Sequence, residues 1–263
     1  MSATVHHGEC IEWLRGLHDK SADHTITDPP YEAEAHTKQR RTIGGQATAK
    51  RKALRGVRPA ALDFAAITPA ARDAVSREIV RVTRGWAIVF CQVEGALRWQ
   101  ECLVSAGAKP RRIGVWVKPN GQPQMSGDRP GMGYESIVFV WCGRGGSRWH
   151  GGGRAGVFTH AIYTVASRRA SRRAGHPTEK PLSLMTELVS LFTDPGDLVL
   201  DPYAGSGTTG VACLRLGRRF AGAEQDERWV RLARERFDAE ARGSTLQAMR
   251  SGQASLFGEE AGR

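Results

Sequence analysis

Asp28-Pro29-Pro30-Tyr31 is the stretch whose residue types could do chemistry. Two successive prolines remove two backbone donors and fix φ, and a residue before proline is pushed out of the helical region. The chain must therefore leave the β-prone run Thr25-Ile26-Thr27 stiffly extended. A carboxylate, unpaired carbonyls and one aromatic ring are held together there, as an acceptor cluster beside a stacking platform. That set suits a flat substrate with an amino group: the ring stacks while the acceptors take the amino hydrogens. Asp and Pro are also ordinary turn residues, so the rest of the chain must decide.

A second constellation lies far downstream. Leu198-Val199-Leu200 reads as a short buried strand leading into Asp201-Pro202-Tyr203-Ala204-Gly205-Ser206-Gly207-Thr208-Thr209-Gly210. A helix with Val211 and Leu214 follows, then the strand Phe220-Ala221-Gly222-Ala223, ending on Glu224. Strand, glycine loop, helix, strand, acid is a nucleoside-binding half-sheet. The glycines let backbone approach a ligand, and the next helix N-terminus favours an anionic group. Glu224 is placed to accept hydrogen bonds from ribose hydroxyls. The same pattern fits the dinucleotide fingerprint, so a nicotinamide-dependent oxidoreductase competes. Three features count against it. Asp201 sits just before the loop, where an acid can reach an ammonium group. Little chain follows for a substrate domain. A dehydrogenase also has no evident use for Asp28-Pro29-Pro30-Tyr31. A Walker A loop is excluded, because no lysine follows in the required place. A carboxylate, an ammonium and a ribose bound together describe S-adenosylmethionine better than NAD.

The elements that must position these residues follow from periodicity. Thr4-Val5-His6-His7 is strand-like and runs into Gly8-Glu9-Cys10, after which Ile11, Leu14 and Leu17 repeat at helical spacing. Val75, Ile79 and Val82 mark a helix beginning near Pro69, and Trp86–Phe90 is a buried strand. Trp99, Cys102, Leu103 and Ala106 repeat the helical period. Ile113–Val117 and Ile137–Trp141 follow each other without a helix, which predicts an antiparallel pair at a sheet edge. Met185, Leu188, Val189 and Phe192 define a helix after Pro181, and Val230, Ala233 and Phe237 the last one. The fold class expected is α/β, with one domain over residues 1–237 and a flexible tail over 238–263. No internal repeat is found.

Lys and Arg number 38 against 27 Asp and Glu, and the resulting +11 argues for a polyanionic partner, most simply nucleic acid. The bases concentrate in two stretches. Residues 32–62 hold Lys38, Arg40, Arg41, Lys50, Arg51 and Lys52 with few large apolar residues, and read as a long mobile loop. Residues 143–175 hold Gly151-Gly152-Gly153, the aromatics Trp149, Phe158 and Tyr163, and the cluster Arg168, Arg169, Arg172, Arg173. Bases mixed with aromatics and glycines suit a DNA-contacting surface. A solvated charge run is the bland alternative for both. No apolar run approaches membrane-spanning length, and the N-terminus lacks a signal peptide's apolar core. The five cysteines are scattered without C-x-x-C spacing, which predicts reduced thiols, a cytoplasmic protein and no metal site.

In this order the motifs resemble the β-type, circularly permuted amino-methyltransferases of DNA, which methylate exocyclic amines of adenine or cytosine. The resemblance runs from Gly8 to Phe237 and rests on Asp28-Pro29-Pro30-Tyr31, on His176-Pro177-Thr178-Glu179-Lys180-Pro181, and on Asp201 to Thr209 with Glu224. It implies a Rossmann-like, S-adenosylmethionine-dependent fold: a seven-stranded, mostly parallel sheet with an antiparallel edge hairpin, and Thr4–His7 beside Phe220–Ala223. Tyr203, Ala204, Gly205, Ser206, Gly207, Thr208 and Thr209 would wrap the methionine part of the cofactor, with Asp201 near its amino group. Glu224 would hold the ribose, and Gly8-Glu9-Cys10 would contact the adenine, with Glu9 where the family more often has Asp. Lys180 and Pro181 would close over the methionine carboxylate. Asp28, also beside the cofactor, would act catalytically with Pro29, Pro30 and Tyr31 on a flipped base in double-stranded DNA. Residues 143–175 take the place of the target-recognition region, here short and glycine-rich. Asp rather than Ser at position 28 favours adenine N6 over cytosine N4. A DNA-binding module without activity is a further alternative. Gln253-Ala254-Ser255-Leu256-Phe257 resembles the peptide by which bacterial replication proteins dock on the sliding clamp. The sequence leaves open a monomer or homodimer, bacterial or phage origin, and a linked restriction enzyme.

Overall fold

The computed structural model describes residues 2–31, 66–121, 130–163 and 179–244, with residues 246 and 249. In chain order the elements are β1 (Ala3–His7), α1 (Cys10–Arg15), β2 (His24–Thr27), α2 (Pro69–Val82), β3 (Trp86–Cys91), a 3-10 turn (Val93–Gly95) and α3 (Ala96–Ser105). There follow β4 (Lys109–Val117), β5 (Tyr134–Trp141), β6 (Val157–Thr159), α4 (Leu182–Phe192), β7 (Leu198–Asp201), α5 (Thr208–Arg215), β8 (Arg219–Glu224) and α6 (Glu227–Ala241).

The strands form one sheet in the order β1-β8-β7-β2-β3-β5-β4-β6. All neighbouring pairs are parallel except those of β5, which runs against both β3 and β4. Two expectations are corrected here. The described sheet has eight strands rather than seven, because Val157–Thr159, inside the glycine-rich stretch 143–175 for which no strand was expected, pairs with β4. The antiparallel pair is consequently not the edge, since β6 covers it. A three-residue strand carries too little periodicity to be seen in sequence. β1 lies beside β8, in register from Ala3 opposite Phe220 to His7 opposite Glu224, so the first strand closes the sheet next to the last.

β3 explains the layering. All six of its residues are buried, with Trp86, Ile88 and Phe90 on one face and Ala87, Val89 and Cys91 on the other. An uninterrupted apolar run is what a strand covered on both faces needs. α4, α5 and α6 pack on the first face through Leu184, Leu188, Val211 and Val230. α1, α2 and α3 pack on the second through Leu14, Val75, Ile79, Trp99 and Leu103. The last helix continues to Ala241 with Ala239 buried, past the Phe237 boundary expected for the domain. No described helix is long and apolar enough to cross a membrane. The five cysteines are free.

Candidate functional site

The parallel strands bring their C-terminal ends to one edge of the sheet, where ligands of open α/β sheets bind. β2 delivers Asp28, β7 delivers Asp201 and the glycine loop, β8 delivers Glu224, and β1 delivers Gly8. Between them opens a cavity of about 820 Å³, within the range of small-molecule sites. Of the residues expected to bind cofactor or catalyse, Gly8, Glu9, Cys10, Asp28, Pro29, Pro30, Tyr31, Lys180, Asp201, Tyr203, Ala204, Gly205, Ser206, Thr208, Thr209 and Glu224 line it. Gly207 and Pro181 do not. A Cβ on Gly207 would meet Phe237 at 2.8 Å and Ala233 at 2.9 Å, so this glycine serves the packing of α6. Pro181 precedes α4, its carbonyl accepting from the Met185 amide at 3.1 Å. Gly205, at φ +51° and with nothing within 4 Å of an added Cβ, is the glycine that opens backbone to a ligand.

Asp201 is an organiser of the site. Its Oδ1 accepts from the Thr27 hydroxyl at 2.8 Å and the Tyr203 amide at 3.1 Å, and its Oδ2 from the Thr209 hydroxyl at 2.7 Å. It thereby ties β2, β7 and α5 together, and burial pushes its pKa up to about 6. Glu224 holds the loop from the other side, accepting from the Gly205 amide at 3.0 Å and the Asp226 amide at 2.8 Å. Burial raises its carboxyl as well, against those two bonds. Glu9 caps α1 by accepting from the Glu12 amide at 2.9 Å and takes the Cys10 thiol at 3.0 Å. Burial drives that thiol up to about 12, so it is no nucleophile at neutral pH.

Lys180 behaves differently from expectation. Its ammonium is turned to the Asp28 Oδ2, to which it donates, and lies 3.3 Å from Glu135 Oε2; it does not stand free for a ligand carboxylate. Asp28 Oδ1 has no hydrogen-bond partner among the described residues. Tyr31 is fixed by its carbonyl, which accepts from the Ile67 amide at 3.2 Å. Its phenol faces the Glu135 carboxylate, and burial together with that charge holds it protonated well above the ordinary tyrosine range.

Sequence reasoning missed Arg236, Glu135 and Lys118. Arg236 reaches from α6 to the Ser206 carbonyl and hydroxyl, both at 2.8 Å, and to the Thr208 hydroxyl at 3.2 Å. It also pairs with Glu179 at 3.0 Å, the two side chains 10% and 4% exposed. Its signal was present, since position 236 falls one helical step from Ala233 on the apolar stripe. Of residues 143–163, Phe158 is buried in the core, Trp149 packs on Phe192 at 5.4 Å between ring centroids, and the Tyr163 hydroxyl accepts from the Leu182 amide at 3.2 Å. The three aromatics read as a DNA-facing set are thus core and buttress, because apolar rings on a loop bury wherever the sheet offers a face. Lys38, Arg40, Arg41, Lys50, Arg51, Lys52, Arg168, Arg169, Arg172, Arg173, His176–Thr178 and Gln253–Phe257 lie outside the described residues. Among the described residues no cluster of His, Cys, Asp or Glu could hold a metal ion.

Among the described residues the lining carries seven acids, Glu9, Asp28, Glu179, Asp201, Glu224, Asp226 and Glu227, against the single ammonium of Lys180. In a chain of net charge +11 the lining formed by the described residues is thus acidic. A dinucleotide with its two phosphates is repelled there, whereas a ligand with sulfonium and ammonium groups is attracted. The N-terminus of α5 is already taken by the chain's own acids, Thr208 and Thr209 donating to Glu179 and Asp201. The residues present fit S-adenosylmethionine: an open Gly205 backbone, acids for its positive groups and Glu224 at a strand tip.

Fold and crevice together define the class, that of the S-adenosylmethionine-dependent methyltransferases. The comparisons with known proteins narrow it. The DNA methylase family model of N6 and N4 type matches residues 22–235, and the chain belongs to that family. The Type II methyltransferase M2.DpnII of Streptococcus pneumoniae is 44% identical over 75 residues, a segment spanning 28% of each chain. "Putative methylase YubD" of Escherichia coli (strain K12) is 27% identical over 252 residues, covering 94% of this chain and 93% of that one. The M1.HpyAVI–SAM complex superposes with a TM-score of 0.63 at 21% identity, covering 89% of this chain and 98% of that one, a likeness of fold.

Proposed function

We propose that the protein transfers a methyl group from S-adenosylmethionine to the N6 amine of adenine in double-stranded DNA, after flipping the base. The observation that carries this reading is the Asp28 carboxylate on the wall of an acid-lined crevice, with one oxygen paired to Lys180 and the other without a hydrogen-bond partner among the described residues. The order of the strands, with the catalytic tetrapeptide directly after β2 and the cofactor loop after β7, supports the circularly permuted arrangement.

An exocyclic amine is a poor nucleophile because its lone pair is delocalised into the ring. Asp28 and the Pro29 carbonyl accept its two hydrogens and free the lone pair, while Tyr31 stacks on the base. Flipping costs a few kcal/mol, and stacking returns roughly 1–3 kcal/mol per base. The bound cofactor supplies an electrophilic methyl group on sulfur. What the chain contributes is mainly alignment for in-line transfer. The extra proton leaves the nitrogen after the methyl group has arrived, and Asp28 Oδ1 is the nearest acceptor.

DNA incubated with the protein and S-adenosylmethionine, digested to nucleosides and analysed by mass spectrometry, tests the reading. N6-methyladenine is the expected product. N4-methylcytosine would keep the mechanism and overturn the base assignment made from Asp28. No methylated nucleoside would point to the inactive binding module. Asp28→Ala should abolish turnover while cofactor affinity stays within a few-fold; normal turnover in that variant would remove Asp28 from the mechanism.

A further inference from the structure

Four charged side chains alternate in sign behind the Asp28 carboxylate. Lys118 Nζ donates to Glu135 Oε1 at 2.5 Å, Glu135 Oε2 lies 3.3 Å from Lys180 Nζ, and Lys180 donates to Asp28 Oδ2. Their side chains are 13%, 10%, 7% and 23% exposed, in that order. Topology brings them together. β5 runs antiparallel, so Glu135 near its start sits at the edge where the parallel strands end, and Lys118 follows the end of the adjacent β4. Aromatic rings wall the row in, with Lys180 Nζ 5.1 Å from the Phe90 ring centroid and 5.9 Å from that of Trp116.

A row of buried charges is poor evidence for stability, because well-packed apolar residues often serve as well. Here the row ends on the carboxylate that, with the Pro29 carbonyl, accepts from the target amine. Lys180 alone on a flexible stem has three donors and many rotamers; the second carboxylate and the rings restrict it to one. The consequence is geometric: Oδ2 of Asp28 is occupied and Oδ1 is not.

We propose that Glu135, anchored by Lys118, is a positioning residue for methyl transfer, fixing Lys180 on Asp28 Oδ2 so that Oδ1 faces the target amine as an ionised acceptor. The inference rests on the role given to Asp28 under Proposed function. Asp28 is faced by Lys180 from the segment before α4, by Glu135 from β5, by Lys118 beyond β4, by its own segment's Tyr31 and by Asp201 from β7; Cys91 of β3 lies against Tyr31. Burial pushes Asp28 toward protonation, Lys180 and Lys118 oppose this, and Glu135 adds to it. The reaction needs the ionised carboxylate, so the rate falls on the acid side as Asp28 takes a proton. Removing the Glu135 charge lowers the Asp28 pKa and moves that acid limb to lower pH. Removing the Lys118 charge raises it and moves the limb to higher pH.

The test is single-turnover transfer of tritiated methyl from S-adenosylmethionine to unmethylated plasmid DNA, followed against pH for the unmodified protein, Glu135→Gln and Lys118→Met. Glu135→Gln is expected to lose at least tenfold in rate while its calorimetric affinity for S-adenosylmethionine changes less than threefold. The two acid limbs are expected to move in opposite directions. A merely structural role would lower both rates without displacing the limbs in opposite senses. Limbs that coincide with that of the unmodified protein, or a Glu135→Gln rate within twofold of it, would overturn the inference alone. If Glu135→Gln does not fold, the upward displacement in Lys118→Met decides by itself. No transfer by the unmodified protein would overturn the reading of Asp28, and this inference with it.

Discussion

The two glycines Gly205 and Gly207 sit two residues apart in one loop, and the structure gives the same substitution opposite consequences at each. Gly207 has φ +77°, and an added Cβ would meet Phe237 at 2.8 and 2.9 Å and Ala233 at 2.9 Å. The left-handed backbone costs an L-residue about 1–2 kcal/mol, and overpacking a filled site costs a further ~1–3 kcal/mol. Gly207→Ala should therefore lose about 2–5 kcal/mol, a large part of the ~5–15 kcal/mol of a typical domain. For a chain of this size that is roughly 4–20 °C in Tm, at about 2–4 °C per kcal/mol. Gly205, at φ +51° with open space around it, should lose only the backbone part, about 1–2 kcal/mol. Its new methyl group would instead stand in the cavity. Differential scanning fluorimetry and calorimetric titration with S-adenosylmethionine separate the two. Gly207→Ala should melt early yet bind cofactor nearly normally below its transition, whereas Gly205→Ala should lose only about 2–8 °C and bind poorly. A Gly207→Ala Tm within 2 °C of the unmodified protein would refute the packing argument.

Three further substitutions probe the site and its frame. Arg236→Ala strips the Ser206–Thr208 loop of its bonds from α6 and leaves Glu179 buried without that cation. Breaking a buried pair costs about 3–5 kcal/mol, and denaturant unfolding should show most of this together with weakened cofactor binding; an unchanged midpoint would contradict it. Asp201 has a folded pKa raised by burial to about 6 from the ordinary 3.8 of an aspartate, so its contribution is fully present at low pH and lost as pH rises through that window. The loss is on the order of 2–3 kcal/mol. The stability of Asp201→Asn relative to the unmodified protein should therefore climb between about pH 4 and 6, and a flat difference would refute the assignment. Trp149→Ala should lower the Tm by several degrees through its contact with Phe192 while DNA affinity holds in filter binding. A normal Tm with lost DNA binding would restore the sequence reading of that ring.

Where the sequence was legible, local chemistry and strand ends coincided. Asp201 and Glu224 follow directly on apolar runs and Asp28 on the β-prone Thr25-Ile26-Thr27, so finding the strand locates the residue on the sheet edge. Gly207 was legible as a glycine but not as to its purpose, because only the position of Phe237 distinguishes a packing glycine from a ligand-facing one. Trp149 and Phe158 were misplaced because composition near a basic cluster says nothing about which rings reach the core. Glu135 was invisible for a different reason. It lies at the start of a strand, and in a parallel strand that end would be the one remote from the site. Only the reversal of β5 against β3 and β4 carries it to the edge where Asp28 stands.

The same reversal accounts for how one crevice can prefer a cation while holding an acceptor that stays ionised. Burial pushes the Asp28 carboxyl up and Glu135 adds to this, so Asp28 alone would tend to take a proton and lose its use as an acceptor. The ammonium that compensates it, Lys180, lines the same cavity but is held on Asp28 Oδ2 rather than left free for a ligand. Lys180 is tethered through Glu135 to Lys118, from elements that meet only because β5 runs backwards. Both Lys180 and Lys118 oppose the protonation of Asp28, while the open face of the cavity remains acidic. Charge is thus sorted by layer, anionic where the cofactor lies and alternating where the catalytic carboxylate is held.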